Sequence, residues 1–415
     1  MNKIRKYKFC DLYDMASGIS STKEQAGHGA PFLSFGTVFN NYFLPENLTD
    51  KMDTTIEEQN TFSIKKGDVF VTRTSETIDE LAMSSVALKD YPNATYSGFV
   101  KRLRPKTTGI VYDKFLAFYL RSKLFRKTMT NNATMTLRAS FNEDIFSFLY
   151  LYLPSYEEQK KIGDLLYNIE MKMLANKKIN DNLEQQAKLI YDYWFTQFDF
   201  PDKNGKPYCS SGGKMVWNEQ LKRNIPEHWN VVPLLNLVNW ESNSQPPKSE
   251  FVYEPKEGYV RFIQNRDYDS DTHITYIPRT KNLSIVDRFD ILMDKYGDAG
   301  AVRYGIEGAF NVALGKICVH NPNYREYIRS FLGSDGIYKF LHNSCMASTR
   351  ASLSEANLAI LNVVVPDEKI ILDYENFLHK IRVSILKNKD ETVELINLRD
   401  WLLPMLMNGQ ATITD

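Results

Sequence analysis

Apolar positions from Ile162 onward step by four and three residues: Ile162, Leu166, Ile169, Met173, Asn176, Asn180, Leu183, Ala187, Ile190, Trp194. That spacing is a heptad seam held for about five heptads and predicts one long helix. Ser155 and Glu158, just after Pro154, form a capping box that starts it. A second seam runs through Tyr374, Leu378, Ile381, Ile385, Asn388, Thr392, Leu395, Arg399, Leu402 and Leu406, with Pro404 and Gly409 expected to end it. Helices of about 39 residues would be rods of roughly 58 Å at ~1.5 Å per residue. Elsewhere the period changes. Residues 1–154 alternate short apolar runs with turn residues, so FLSFGTVF, DVFVTR, SSVALK, YSGFVKRL and FSFLYLYLP read as strands. Asp113 to Met129 reads as one amphipathic helix. Residues 226–366 follow the same plan, with FDILMDKYG and LAILNVVVP as strands and Tyr324 to His342 as the helix.

This recurrence is a long-period repeat. Shifted by 212 residues, the chain aligns with itself without a gap from Tyr112 to Phe195, and 17 of those 84 positions are identical. Arg138-Ala139-Ser140-x-x-Glu143 returns as Arg350-Ala351-Ser352-x-x-Glu355, and Ser122, Pro154 and Asn176 return as Ser334, Pro366 and Asn388. Earlier segments correspond at larger shifts, GDVFVTR with FDILMDK and PFLSFGTV with YVRFIQN. The organisation expected is a first α/β domain (1–154), a helix (155–197), a linker (198–225), a second α/β domain (226–366), and a second helix with a tail (367–415). The fold class is α/β (α+β), two mixed domains separated by two long helices in an antiparallel coiled coil. In that arrangement Leu166, Ile169 and Leu183 pack against Leu378, Ile381 and Leu395. Asn176 and Asn388 meet near the two midpoints, where a buried Asn pair fixes register at some cost in stability. The domains would then lie at opposite ends of the rod, related by a pseudo-twofold axis.

Composition bears on class more than on fold. The chain has 415 residues, 43% hydrophobic, with 51 basic and 51 acidic side chains. That is enough apolar content for real cores, and a zero net charge argues at first sight against a nucleic-acid binder. The basic, polar start lacks the apolar run of a signal peptide, no stretch is long enough for a membrane helix, and the four Cys are far apart. A cytoplasmic protein with free thiols and no metal site is expected.

The segment between the repeats, YWFTQFDFPDKNGKPYCSSGGKMVWNEQLKRNIPEHWNVVPL, is too rich in Gly, Pro and Asn for one element and too aromatic for a loose linker. Together with LPSYEEQKKI (153–162) and LRDWLLPMLMNGQ (398–410), it resembles the specificity subunits of type I restriction–modification systems. The resemblance covers the whole layout. It implies a non-catalytic adaptor that reads two halves of a split, asymmetric site in double-stranded DNA, with the helices as a ruler. It implies two methylation subunits carrying S-adenosylmethionine, and, for restriction, two motor-nuclease subunits using ATP and Mg2+. This chain itself would hold no cofactor. One departure is visible: the second helix lacks the EEQ that follows Leu153, so the two docking surfaces are expected to differ.

Candidate DNA contacts follow from local charge. Between Lys101 and Lys127 lie nine basic residues and one acidic one, among them Lys101, Arg102, Arg104, Arg121, Lys123, Arg126 and Lys127. The corresponding stretch 313–339, with Arg325, Arg329 and Lys339, has four against two. Ser140 with Glu143, and Ser352 with Glu355, read as capping boxes of short helices. A helix N-terminus also suits phosphate, and Arg138 and Arg350 stand beside it. Arg73 and its counterparts Lys295 and Tyr296 follow the repeated strand. The aromatics of PFLSFGTVFNNYF read as core.

Summed by segment, the charge is uneven: residues 1–155 carry 20 basic against 16 acidic side chains, and residues 367–415 carry 6 against 9. Zero therefore averages a basic, DNA-facing part with acidic helices suited to docking protein. Two rival classes remain. Asn321-Pro322-Asn323-Tyr324 resembles the NPPY motif of adenine methyltransferases, but the second Pro is missing and no glycine loop for S-adenosylmethionine follows a strand. No GxxxxGK[ST] loop is present, and the six His have no triad or metal spacing. A coiled-coil scaffold without DNA specificity is the other alternative; the basic run and the linker motifs favour the DNA reader.

Overall fold

The heptad seams form the two longest elements of the computed structural model, which describes residues 4–20, 22–77, 80–132, 139–269, 273–346 and 352–413. The chain divides into two units. Unit 1 comprises Met1–Ala175 with Glu391–Asp415, and unit 2 comprises Asn176–Asp390.

Unit 1 is built on an antiparallel sheet of β1 (Tyr13–Ser17), β2 (Val69–Thr72), β3 (Ser84–Val86) and β4 (Val100–Pro105), in the order β1-β4-β2-β3. Every residue of β2 is buried. Its alternation sends Val69 and Val71 into the main core and Phe70 into a smaller one with Tyr96. The main core is closed by α1 (Asp113–Arg121), whose residues Phe115 to Leu120 are all buried, and by α2 (Lys123–Asn132). The single helix expected over 113–129 is broken between them. Ser122 has ψ 151°, donates to the Tyr119 carbonyl at 2.6 Å and accepts from Phe125 N at 3.4 Å, so it ends one helix and caps the next. Two expected strands are also shorter than their apolar runs. FLSFGTVF leaves the strand at Leu33, where Ser34 caps a short helix, Phe35–Asn40. FSFLYLYLP contributes only Tyr150–Leu153. Phe32 and Phe43 are core residues, as their context suggested.

Unit 2 repeats the sheet with β5 (Val238–Ser242), β6 (Ile291–Asp294), β7 (Val302–Arg303) and β8 (Leu314–Val319), in the order β5-β8-β6-β7. In each unit a second sheet contains one parallel pair, Phe32–Leu33 with Thr95–Tyr96 and Phe262–Ile263 with Ala309–Phe310. Helices α4 (Arg325–Leu332) and α5 (Asp335–Met346) are again separated at a serine. Ser334, the repeat partner of Ser122, donates to the Phe331 carbonyl at 2.7 Å. The aromatic segment after Tyr191 is packed rather than loose. Phe195, Phe198 and Phe200 join the core of unit 2, and Phe200 stacks on Trp229 at 4.6 Å and on Tyr208 at 4.7 Å. A hairpin, Met215–Asn218 with Arg223–Pro226, follows.

The long helices are α3 (Tyr156–Tyr191) and α6 (Glu368–Met407). In unit 1, Lys172 pairs with Glu391 at 3.1 Å and Glu170 with Arg399 at 3.3 Å, and Ile162 and Leu166 share the core with Leu406 and Met407. In unit 2, Asn176 Nδ2 donates to the Asn388 carbonyl at 3.4 Å, and Trp194 meets Tyr374 at 5.7 Å. Within each unit the opposed numbering makes the helices antiparallel, with every predicted seam residue buried or half-buried. The Asn pairing is staggered by one turn. Asn388 Nδ2 donates to Asn180 Oδ1 at 2.8 Å, while Asn176 reaches the Asn388 backbone. Pro404 does not end α6. Its carbonyl still accepts from Asn408 N at 3.0 Å, and the helix stops where Gly409 turns to φ +68°. Among the described residues no helix is long and apolar enough to cross a membrane.

Candidate nucleic-acid interface

Strand alternation divides the basic run of unit 1. On β4, Arg102 and Arg104 share one face and Lys101 lies on the other. Arg104 makes a bidentate pair with the fully buried Asp68 (Nε 2.7 Å, Nη2 2.6 Å) and donates to the Ser63 carbonyl at 2.9 Å. Arg102 donates to the same carbonyl at 2.8 Å and lies over the Tyr96 ring. Arg121 donates to the carbonyls of Ser84, Val38, Phe39 and Asn41 at 2.7–3.0 Å. Burial holds its guanidinium down at about 10. Arg329 is equally internal in unit 2, 2% exposed, bonded to Glu326 and to the Phe289 carbonyl. Arg104, Arg121 and Arg329 are therefore structural. Their donors tie loops to the sheets, and sequence could not distinguish them from surface cations because carbonyl partners carry no signature. Arg325 is half-buried and faces Glu375 electrostatically.

A different set converges at one end of the sheet. Lys101 Nζ donates to Ser17 Oγ, the last residue of β1, at 2.7 Å. Burial and the neighbouring Arg73 charge push its pKa down, with Glu143 opposing. Arg73 is exposed, and its guanidinium reaches the Gly98 carbonyl at 3.5 Å. Its backbone is held by Phe99 O and by Phe141 N. Ser140 pairs with Thr74 across a two-residue strand contact. Ser140 is thus a strand residue, and the expected capping box is displaced: Asn142 caps the helix Glu143–Phe148, accepting from Ile145 N at 2.9 Å. Ser354, 212 residues on, likewise caps Glu355–Ala359, so Ser352 does not. Lys123 and Lys127 are exposed one turn apart on α2, with Arg126 half-buried between them. Arg138 and Arg350 lie outside the described residues.

Unit 2 builds the same place from other side chains. Lys295 Nζ donates to Ser242 Oγ, the last residue of β5, at 3.2 Å. Its backbone accepts from Leu353 N, as Arg73 accepts from Phe141 N. At the register position of Lys101 stands Gly315: Ser17 pairs with Lys101, and Ser242 with Gly315. The glycine is required, since a Cβ there would lie 2.1 Å from the Trp240 ring, which sits beneath Lys295. Tyr296 is half exposed beside it, and Lys339 is exposed on α5 near Asp335. Sequence reasoning missed Ser17, Ser242, Phe99 and Trp240, which became visible only through sheet register.

Residues 6–185 match the family model for the type I restriction modification DNA specificity domain. The chain is 22% identical over 433 aligned positions to the type I restriction enzyme MjaIX specificity subunit of Methanocaldococcus jannaschii, with 98% of this chain and 93% of the relative covered. It is 23% identical over 472 positions to the HindI specificity subunit of Haemophilus influenzae, covering 97% and 99%. Over nearly its whole length this chain is similar to specificity subunits of type I restriction–modification enzymes. A crystal structure of the type I S subunit from M. genitalium shares the fold, with a TM-score of 0.63 at 15% identity over 98% of this chain and 96% of that one.

Two motifs of the chain now have structural meanings. Gln159, the last residue of EEQ, is 1% exposed. It accepts from Tyr112 N at 2.9 Å and donates to the Ile110 and Pro154 carbonyls, each at 3.0 Å. Its counterpart in the second helix, Ile371, is also buried, so at this position the departure alters an internal bond, while the exposed Glu157 corresponds to an exposed Lys369. The Asn-Pro-Asn-Tyr resembling a methyltransferase motif is a single 3-10 turn capped by Asn321, which accepts from Asn323 N at 3.1 Å.

Proposed function

We propose that this chain is a type I specificity subunit that reads a bipartite, asymmetric site in double-stranded DNA, one half per unit, with the long helices as the ruler between halves. The observation that carries the reading is the doubled sheet-end site. Each unit anchors a lysine on the serine that closes its first strand, yet the surrounding side chains differ: Arg73 and Phe99 in one, Trp240 and Tyr296 in the other. Equal scaffolds with unequal contents suit two readers of unequal sequences. Cations position the protein on phosphates, and the residues between them face base edges. Arg73, Lys101, Lys123, Lys127 and Ser140 are the contacts proposed for unit 1, and Lys295, Tyr296, Lys339 and Ser352 for unit 2.

The subunit is non-catalytic, and activity resides in its partners. Two methylation subunits would dock on the helices, where Leu174 and Trp401 of unit 1 and Leu189 and Phe377 of unit 2 expose apolar surface. S-adenosylmethionine would sit on those partners, and ATP and Mg2+ on motor-nuclease subunits of a restriction-competent, cytoplasmic complex. The test is duplex-DNA filter binding by the chain assembled with its methylation partner. Converting Lys123 and Lys127 to Gln should weaken binding to all sequences and flatten the salt dependence by about one to two units of slope. A coiled-coil scaffold would give no salt-dependent affinity at all.

A further inference from the structure

The turns Ser97–Val100 in unit 1 and Asn311–Leu314 in unit 2 are one device used twice. Val100 N donates to Ser97 O at 2.9 Å, and Leu314 N to Asn311 O at 3.1 Å. The third residue is fixed by the side chain of the first: Phe99 N donates to Ser97 Oγ at 3.2 Å, and Ala313 N to Asn311 Oδ1 at 3.1 Å. The carbonyl of that third residue then accepts from the key cation's backbone, Arg73 N to Phe99 O and Lys295 N to Ala313 O, each at 2.8 Å. Gly98 N adds a bond to the Ile19 carbonyl at 2.7 Å. The backbone is pinned on every side, and the turn closes as well on the methyl of Ala313 as on the ring of Phe99. The ring is therefore not what holds the turn.

That ring is 64% exposed, on a rigid tip, and no ring contact among the described residues engages it. Beside it lie Arg73, whose guanidinium reaches Gly98, and Lys101, whose ammonium rests on the neutral Ser17 hydroxyl. Two neighbouring cations with no hydrogen-bonded carboxylate among the described residues suit a polyanion, and an exposed aromatic beside them suits the apolar surface that a polyanion of bases offers. We propose that Phe99 is a DNA-contact residue of unit 1, its ring packing on base surface in the first half-site while Arg73 and Lys101 hold flanking phosphates. This rests on the reading of unit 1 as a DNA reader.

The test uses the full chain with its methylation partner and the duplex carrying the methylated motif mapped in the host. Phe99→Ala should lower affinity for that duplex on the order of tenfold, leave non-specific affinity and its salt slope unchanged, and keep the wild-type melting profile, as Ala313 foreshadows. Phe99→Trp should retain most of the affinity. A 2-aminopurine scan of the first half-site should brighten at one step with wild type and not with Phe99→Ala if the ring enters the stack. If the ring meets a thymine methyl instead, thymine-to-uracil exchange at one position should reproduce the loss. Site discrimination by wild type with no change in Phe99→Ala overturns this inference alone. No discrimination by wild type overturns the DNA reading beneath it.

Discussion

Glu326 is the point at which one proton-sized change should unfasten unit 2. Its carboxylate is fully buried and accepts from Arg329 Nε at 3.1 Å and from Arg382 Nε at 3.0 Å, with Arg329 Nη2 also at 3.1 Å. Arg382 continues the chain to Glu184 and Tyr304, which joins α3 to α6 inside the unit. Burial alone would raise the Glu326 pKa, but the two guanidiniums outweigh it and hold it below the usual range. Glu326→Gln keeps the shape and removes the charge, leaving two guanidiniums, 2% and 5% exposed, with Arg382 still paired to Glu184 and Arg329 still bonded to the Phe289 carbonyl. Breaking a buried pair in this way costs about 3–5 kcal/mol. At roughly 2–4 °C per kcal/mol for a unit of this size, the unit 2 transition should fall by about 6–20 °C in calorimetry of the full chain. The sign with pH follows from the depressed pKa. The contribution is fully present above the unfolded carboxylate value of about 4.3 and is lost as pH falls through the lower folded value. The gap between wild type and variant should therefore be full at pH 7 and close in strong acid. A drop of under 2 °C at pH 7, or a gap that persists unchanged in acid, would refute the reasoning.

Other predictions follow from the same contacts. Glu375 accepts from Glu326 N at 2.8 Å, and burial pushes its carboxyl up to about 7. Its ionisation opposes folding progressively from the unfolded value to about 7, so Glu375→Gln should raise the unit 2 melting temperature at pH 8 and leave it unchanged at pH 4. Gly315→Ala drives a Cβ to 2.1 Å from the Trp240 ring, and should destabilise unit 2 by about 1–3 kcal/mol by denaturant titration. It should also weaken second-half-site binding, because Trp240 underlies Lys295. Asn388→Leu should raise thermal stability, since a half-buried polar residue at a seam costs energy, while half-site spacing in a selected duplex pool becomes less strict. Unchanged spacing would show that Asn388 does not set register.

The doubled architecture was legible in the chain because repetition and heptad spacing are local, linear signals. Ser122 and Ser334, Asn142 and Ser354, and the two Asn of the seams already stand 212 residues apart. What the spacing did not carry was which of two roles a residue takes at its place. Ser122 looked like part of a continuous helix because Asp113 to Met129 is amphipathic throughout, yet its hydroxyl competes for the Tyr119 carbonyl and splits the helix in two. Ser140 and Asn142 are both good caps, and the strand contact with Thr74 claims the first and leaves the second to cap.

The sequence by itself determined the class: two similar α/β frames, two long seamed helices, and residues of both signs enough to serve DNA and protein partners. Tertiary structure alone decided which cations are available. Arg104 and Arg121 belong to the same basic run as Lys101 and Lys123, but backbone carbonyls and a buried carboxylate consume the first two and leave the others outward. The physical reason is that charge is counted along the chain, whereas availability depends on what lies across the sheet from each side chain. Strand register places Lys101 on Ser17 and Gly315 under Trp240, and no linear pattern encodes those distances.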